Sequence, residues 1–287
     1  MQETVKIIEC PRDAMQGLHD FIPTEQKIAY HQKLLSCGFD TIDIGSFVSP
    51  KAIPQLKDTA AVLAGIDMSE TKSKLLVIVG NKRGAAEACA QEKVSYLGYP
   101  FSISETFLRR NINSSIDDSL QRIEEINELC LQHGKKLVIY ISMGFGNPYG
   151  EPWDVNIVTG WCYKLVRLFD AGIISLSDTI GTSTPASIRY LFSQLVPELP
   201  EVQFGAHLHT TPSTWQEKIE AAYSSGCRRY DGAIKGFGGC PMAADKLTGN
   251  MPTERMLGYF EEEGIDSGVN MDSFGKAVIA AAEFFPI

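Results

Sequence analysis

The strongest constraint on this chain is an alternation. Apolar, strand-like runs bounded by turn residues recur along it, and each is followed by a segment whose apolar residues fall at helical spacing. Eight such units are legible, with strands predicted at residues 5–10, 41–47, 75–80, 94–101, 137–143, 173–178, 202–209 and 229–235. Their near-continuous apolar character suits strands covered on both faces, as in a parallel sheet flanked by helices. Start signals mark the helices: Thr24 before EQKIAYHQKLL, Ser115 before IDDSLQRIEEINELCLQ, and Thr184–Pro185 before ASIRYLFSQL. Gly38, Gly134, Gly172 and Gly226 follow helices where a left-handed cap is expected. Eight repeats favour closure into a (β/α)8 barrel over an open doubly wound sheet, and no GxGxxG opens a helix after the first strand. The expectation is one barrel domain over residues 1–287, with residues 253–287 adding a short C-terminal helical extension.

Composition narrows the function classes. A net charge of −9 disfavours the electrostatic footprint that nucleic acid requires. No apolar run approaches the roughly 20 residues that span a bilayer, and the N-terminus lacks a signal-peptide pattern; a soluble, cytoplasmic protein is expected. Seven cysteines lie scattered without CxxC pairs, which indicates neither a disulfide framework nor a structural zinc site. Six of them read as small buried hydrophobes.

In a (β/α)8 barrel the C-terminal strand ends converge on one mouth, so polar groups there are the functional candidates. Strand 1 ends in Arg12 and Asp13, strand 2 carries Asp43, strand 6 ends in Asp178, and strand 7 ends in His207 and His209. Side chains two apart on a strand share a face, so both imidazoles can reach one ion. With Asp13 the set becomes two nitrogens and a carboxylate, which suits a divalent metal; the alternative is two satisfied histidines lining a polar mouth. Thr41, Asp43 and Gly45 are expected on one inner face, where an ionised carboxylate is costly unless paired or metal-linked. Asp43 is thus either a functional carboxylate or an ion-pair partner that orients Arg12, and Asp178 has the same two readings. Cys240 falls in GFGGCPMAADKLTGN, whose glycines at 236, 238 and 239 permit positive φ and hinge motion over a substrate.

These segments carry a resemblance. PRDAMQ (11–16), SFVSPK (46–51), NIN (111–113), SLSDTIG (175–181), HLH (207–209) and GGCP (238–241) occur in the order found in the 3-hydroxy-3-methylglutaryl-CoA lyases, a branch of the metallolyase barrels named after an Asp-Arg-Glu site. The resemblance implies that Asp13, His207, His209 and Asn250 hold Mg or Mn, that Arg12 stabilises an enolate, and that Asp43 stands where the family has a catalytic Glu. It also implies that Asp178 supports substrate or base positioning, that Cys240 assists proton transfer, that the substrate is an acyl-CoA, and that the chain is a homodimer. Lys51, Arg109 and Arg110 follow strands 2 and 4 and are expected to meet the CoA phosphates.

Departures from the family concern the acyl pocket. ECPRD is one residue shorter than EVGPRD, Ala14 replaces a Gly, Asp43 is one methylene shorter than Glu, and HTTPSTW stands for HDTYGQA, bringing in Thr210 and Trp215. The alternatives are a lyase or aldolase for another 3-hydroxyacyl-CoA or hydroxy acid, a condensing acyltransferase of the same superfamily, and a non-catalytic acyl-CoA-binding barrel. The absence of Lys from LVIYISM argues against a carboxyltransferase with a carbamylated lysine.

Overall fold

The structure is a computed structural model that describes residues 4–239 and 248–285. Eight parallel strands run in chain order: β1 (Lys6–Glu9), β2 (Thr41–Ser46), β3 (Lys74–Ile78), β4 (Val94–Ser102), β5 (Lys136–Ser142), β6 (Ile173–Asp178), β7 (Gln203–Thr210) and β8 (Arg229–Gly232). Neighbours pair in sequence, β6 to β7 and β7 to β8, and β8 returns to β1 with Ile8 opposite Asp231, which closes the barrel. A short ninth strand, β9 (Gly249–Asn250), runs antiparallel to β7 and sets Asn250 opposite His209.

The helices are α1 (Pro11–Met15), α2 (Thr24–Leu35), α3 (Thr59–Gly65), α4 (Lys82–Cys89), α5 (Glu105–Ile112), α6 (Ile116–Gln132), α7 (Val155–Phe169), α8 (Pro185–Glu198), α9 (Trp215–Ser224), α10 (Thr253–Glu262) and α11 (Met271–Phe284). Two-residue alternation divides the apolar residues between two layers. Leu76, Ile78, Tyr96, Val138, Tyr140 and Ile173 form a cluster inside the barrel. Their neighbours Val77, Leu97, Ile139 and Ile174 join the large core between strands and helices. The extension wraps back onto the first repeat, where Phe284 of α11 stacks on Tyr30 of α2 at 4.4 Å.

The expected caps at Ser115 and Thr184 are present as capping boxes. Thr24 instead begins α2 and donates to Asp58 Oδ2, leaving Pro23 at the cap. Gly38, Gly134 and Gly226 take positive φ as expected, but Gly172 does not; Asp170, φ 51°, ends α7 two residues earlier. Strand 1 stops at Glu9 because Pro11 opens α1, so Arg12 and Asp13 stand on a helical turn rather than on the strand. Gly45 does not share the face of Thr41 and Asp43. A bulge between Asp43 and Gly45 turns it outward, where a Cβ would meet Thr59 of α3 at 2.6 Å.

One close approach fixes the mouth beside β2. Asn81 caps α4 by accepting from Gly84 N, and a Cβ on Gly84 would lie 2.2 Å from the Phe47 carbonyl oxygen. The loop beyond β2 therefore rests directly on the first turn of α4. Gly84→Ala is expected to destabilise the protein by about 1–3 kcal/mol through overpacking. Urea unfolding measures this, and an unchanged midpoint would show that the two backbones are not held together.

Candidate active site

A cleft of about 420 Å³ opens at the C-terminal mouth. Arg12, Asp13, His207 and His209 form one wall; Val48, Ile53, Phe107, Ile112 and Arg110 form much of another. The sequence-predicted metal residues meet here. Asp13, His207 and His209 each offer a ligand atom, and these atoms lie within 4.8 Å of one another. The two-residue spacing on β7 aims both imidazoles inward, and α1 carries Asp13 across to them.

Asp13, Asn250 and His207 are each oriented by a neighbour, whereas His209 Nδ1 has no hydrogen-bond partner among the described residues. Asp13 Oδ1 accepts from Arg12 Nη1 at 2.9 Å and Gln16 Nε2 at 2.7 Å, and Oδ2 accepts from Asn250 Nδ2 at 2.7 Å. Asn250 Nδ2 also donates to the Phe237 carbonyl, so Oδ1 is its metal-capable atom. His207 Nδ1 lies 3.1 Å from Asp231 Oδ2, a carboxylate–histidine pair of the kind that fixes a metal ligand's ring. Burial and then the neighbouring His207 push the His209 imidazole down to about 4, so it is neutral and ligand-competent at ordinary pH. For Asp13 burial acts upward, but Arg12, the two histidines and Asn250 outweigh it and hold the carboxyl below its ordinary range.

Arg12 is the hub of the charged groups. Nε and Nη2 donate to Asp43 Oδ2 at 3.0 and 2.6 Å, while Nη1 donates to Asp13 and to Gln16. These bonds use four of the five guanidinium N–H groups, which leaves one on Nη2 without a partner among the described residues. Asp43 is fully buried, and burial raises its carboxyl to about 6 against the pull of Arg12. Asp178 is also paired: Oδ2 accepts from Lys218 Nζ at 2.7 Å and from the Ser183 backbone and hydroxyl. Asp43 and Asp178 are thus both anchored through Oδ2, and each Oδ1 is unbonded among the described residues.

Several supporting groups were not read from the sequence. Lys218 Nζ donates to Asp178, Gly181 O and His209 O, tying the ends of β6 and β7 together. A lysine within a helix carries no local sign of a partner 40 residues away. Asp231 was legible in principle, because β8 alternation places it on the inner face opposite His207. Of the three basic residues expected near phosphates, Arg110 lines the cleft, Arg109 is exposed and paired with Glu105, and Lys51 is exposed and outside the lining. Trp215 lines a second cavity of about 330 Å³ beside Arg255, not the main cleft. Thr210 is buried at the end of β7, with its hydroxyl 3.4 Å from the Asn250 carbonyl.

Cys240 lies outside the described residues, which end before it at Gly239. Gly236, Gly238 and Gly239 take φ of 65°, 93° and 128°, as their placement in the loop predicted. A Cβ on Gly238 would lie 2.6 Å from Asp13 O and 2.8 Å from Asn250 Nδ2, so only glycine passes this close to the candidate ligands. Behind the segment, Glu9 accepts from Ile234 N at 2.9 Å and from Thr253 Oγ1 at 2.6 Å.

A closed (β/α)8 barrel whose C-terminal mouth gathers a carboxylate, two imidazoles and a bridging arginine defines a barrel with a candidate divalent-metal site. The chain belongs to the HMGL-like family, an enzyme family of carbon–carbon lyases, whose model matches residues 5–278. It is 37% identical to the cytoplasmic 3-hydroxy-3-methylglutaryl-CoA lyase of Danio rerio, over 93% of this chain and 79% of that one. It is 33% identical to the 3-hydroxy-3-isohexenylglutaryl-CoA/hydroxy-methylglutaryl-CoA lyase of Pseudomonas aeruginosa, over 96% and 91%. The solved HMG-CoA lyase of Brucella melitensis superposes with a TM-score of 0.90 at 30% identity, covering 98% of each chain.

The Glu9 staple yields a pH prediction. Burial pushes the Glu9 carboxyl from 4.5 up to about 8, its two hydrogen bonds opposing this. The folded state therefore holds the proton more tightly, and the resulting stability is full below pH 4.5 and is lost as pH rises through 8. The stability of wild type relative to Glu9→Gln should decline across that interval in urea titrations; parallel pH profiles would contradict the assignment.

Proposed function

We propose that this protein cleaves 3-hydroxy-3-methylglutaryl-CoA to acetyl-CoA and acetoacetate, with Mg or Mn held by Asp13, His207, His209 and Asn250. The observation that carries the reading is the convergence of Asp13, His207 and His209 beside the Arg12–Asp43 pair at the barrel mouth, in a chain of this family. The donor set fits such an ion: one carboxylate, two imidazoles and an amide oxygen, with the His209 ring buried and the half-buried His207 ring braced by Asp231. These residues would hold an ion that, when bound, would supply Lewis acidity to the substrate hydroxyl.

The C3 hydroxyl proton passes to a carboxylate base, a role that the resemblance assigns to Asp43, whose Oδ1 is unbonded among the described residues. As it does so the ketone forms and the C2–C3 bond breaks, its electron pair passing into the thioester enolate. Arg12 answers the charge that develops on the thioester oxygen. Its remaining Nη2 N–H is free for that oxygen, and its pairs with Asp13 and Asp43 hold the guanidinium in place before the reaction begins. Asp43 serves as the anchor of Arg12, and its free Oδ1 is an acceptor on the inner face. Arg110 supplies a positive charge along the cleft for the CoA portion. Cys240 is assigned on sequence resemblance as the acid that protonates the enolate carbon. The same resemblance supports a homodimer and a cytoplasmic location; no helix among the described residues is long and apolar enough to cross a membrane.

A second reading takes a larger group at C3. The apolar wall of Val48, Ile53, Phe107 and Ile112 favours it.

Acetyl-CoA release from 3-hydroxy-3-methylglutaryl-CoA and from a 3-isohexenyl analogue, each with Mg or Mn, tests both readings. The methyl substrate should turn over, EDTA should abolish release, and Cys240→Ser should lower kcat by about a hundredfold or more. Release from the analogue alone would select the second reading, and release from neither would refute the lyase assignment. His209→Ala should weaken Mn affinity by about tenfold or more, read by titration calorimetry. Unchanged affinity would remove His209 from the ligand set.

A further inference from the structure

Directly beneath the candidate Mg or Mn ligands lies a second set of metal-capable atoms that includes sulfur. Cys10, His207 and Asp231 each offer one ligand atom, all within 4.8 Å of one another. Strand register builds the set. On β7 and β8, His207 and Asp231 are direct partners; on β1 and β8, Ile8 is opposite Asp231, and Cys10 N donates to Gly232 O one step further along. Strands β7 and β8 and the residue that follows β1 thus deliver an imidazole, a carboxylate and a thiol to one point inside the barrel. Cys10 and Asp231 are 1% and 2% exposed, and Asp231 Oδ1 is a buried acceptor without a hydrogen-bond partner among the described residues.

We propose that Cys10, His207 and Asp231 form a binding site for a thiophilic divalent ion of the Zn²⁺ class, separate in its ligands from the carboxylate-and-imidazole set above it but sharing His207. The chemistry discriminates between ions. Asp13 and the two histidines present only oxygen and nitrogen, a set open to Mg, Mn and Zn²⁺ alike, whereas a thiolate disfavours Mg and Mn and favours Zn²⁺. Three protein ligands of S, N and O type match the number found in open zinc sites. On binding, the Cys10 thiol proton passes to solvent as the S–Zn bond forms, and thiolate plus carboxylate neutralise the ion. Because His207 belongs to both sets, Zn²⁺ bound below draws that imidazole away from the ion above. Zn²⁺ therefore acts as an antagonist of the hard ion, whatever acyl substrate the cleft accepts.

The test uses X-ray absorption on the full-length Cys240→Ser protein, stripped with chelator and loaded with one equivalent of Zn²⁺, so that no sulfur comes from residue 240. One sulfur scatterer at about 2.3 Å is expected. In Cys10→Ser/Cys240→Ser the sulfur should vanish and Zn²⁺ affinity should fall about tenfold or more, while Mn²⁺ affinity changes by no more than about twofold. A nitrogen-and-oxygen shell in the protein that retains Cys10 overturns the proposal, as does sulfur that persists after Cys10 is replaced. Should the double variant fail to fold, the first spectrum decides alone.

Discussion

The site depends on the guanidinium of Arg12, which bonds Asp43 on β2 and Asp13 on α1 at the same time. Neither carboxylate is stable alone in this interior. Burial by itself raises both, and only for Asp13 do the neighbouring cations and Asn250 reverse the effect. The bridge keeps Asp13 ionised and turned toward the histidines, and it leaves one N–H of Arg12 for a substrate oxygen. Asp13, Asp43 and Asp231 are all buried around this point, and Arg12 bonds two of them. Such an excess of negative charge in a low-dielectric setting is relieved by a divalent cation.

The barrel supplies these residues from distant parts of the chain with little local adjustment. Pro11 ends β1 and turns Asp13 inward; strand alternation aims His207 and His209; the two residues of β9 bring Asn250 beside His209. Lys218 and Glu9 work one layer out. Lys218 fastens Asp178 to the backbone of His209, and Glu9 fastens the start of the glycine-rich segment to α10 through Thr253. The hydrogen-bonded groups therefore surround the candidate metal site, and the glycines lie where a backbone must pass within contact of Asp13 and Asn250.

Much of this was legible in the sequence because it follows from periodicity. Eight apolar runs gave the strands to within a few residues, and the i, i+2 histidines announced their shared face. The family resemblance gathered Asp13 and Asn250, more than 200 residues apart, around them. What escaped depends on tertiary context. A single bulge turned Gly45 away from the face of Asp43, Asp170 took the left-handed position expected of Gly172, and Lys218 revealed its role only through acceptors on other elements. Arg109 and Arg110 are adjacent in sequence and both exposed, yet helical geometry sets only Arg110 along the cleft.

The most direct test of this account is anomalous diffraction from crystals of the protein soaked with Mn²⁺ after chelator treatment. The strongest anomalous peak should lie within coordination distance of Asp13, His207 and His209, with Asn250 turned to present Oδ1. Full Mn²⁺ occupancy at another position, with Asp13 still bonded only to Arg12, Gln16 and Asn250, would contradict the claim that this charged cluster exists to hold the ion.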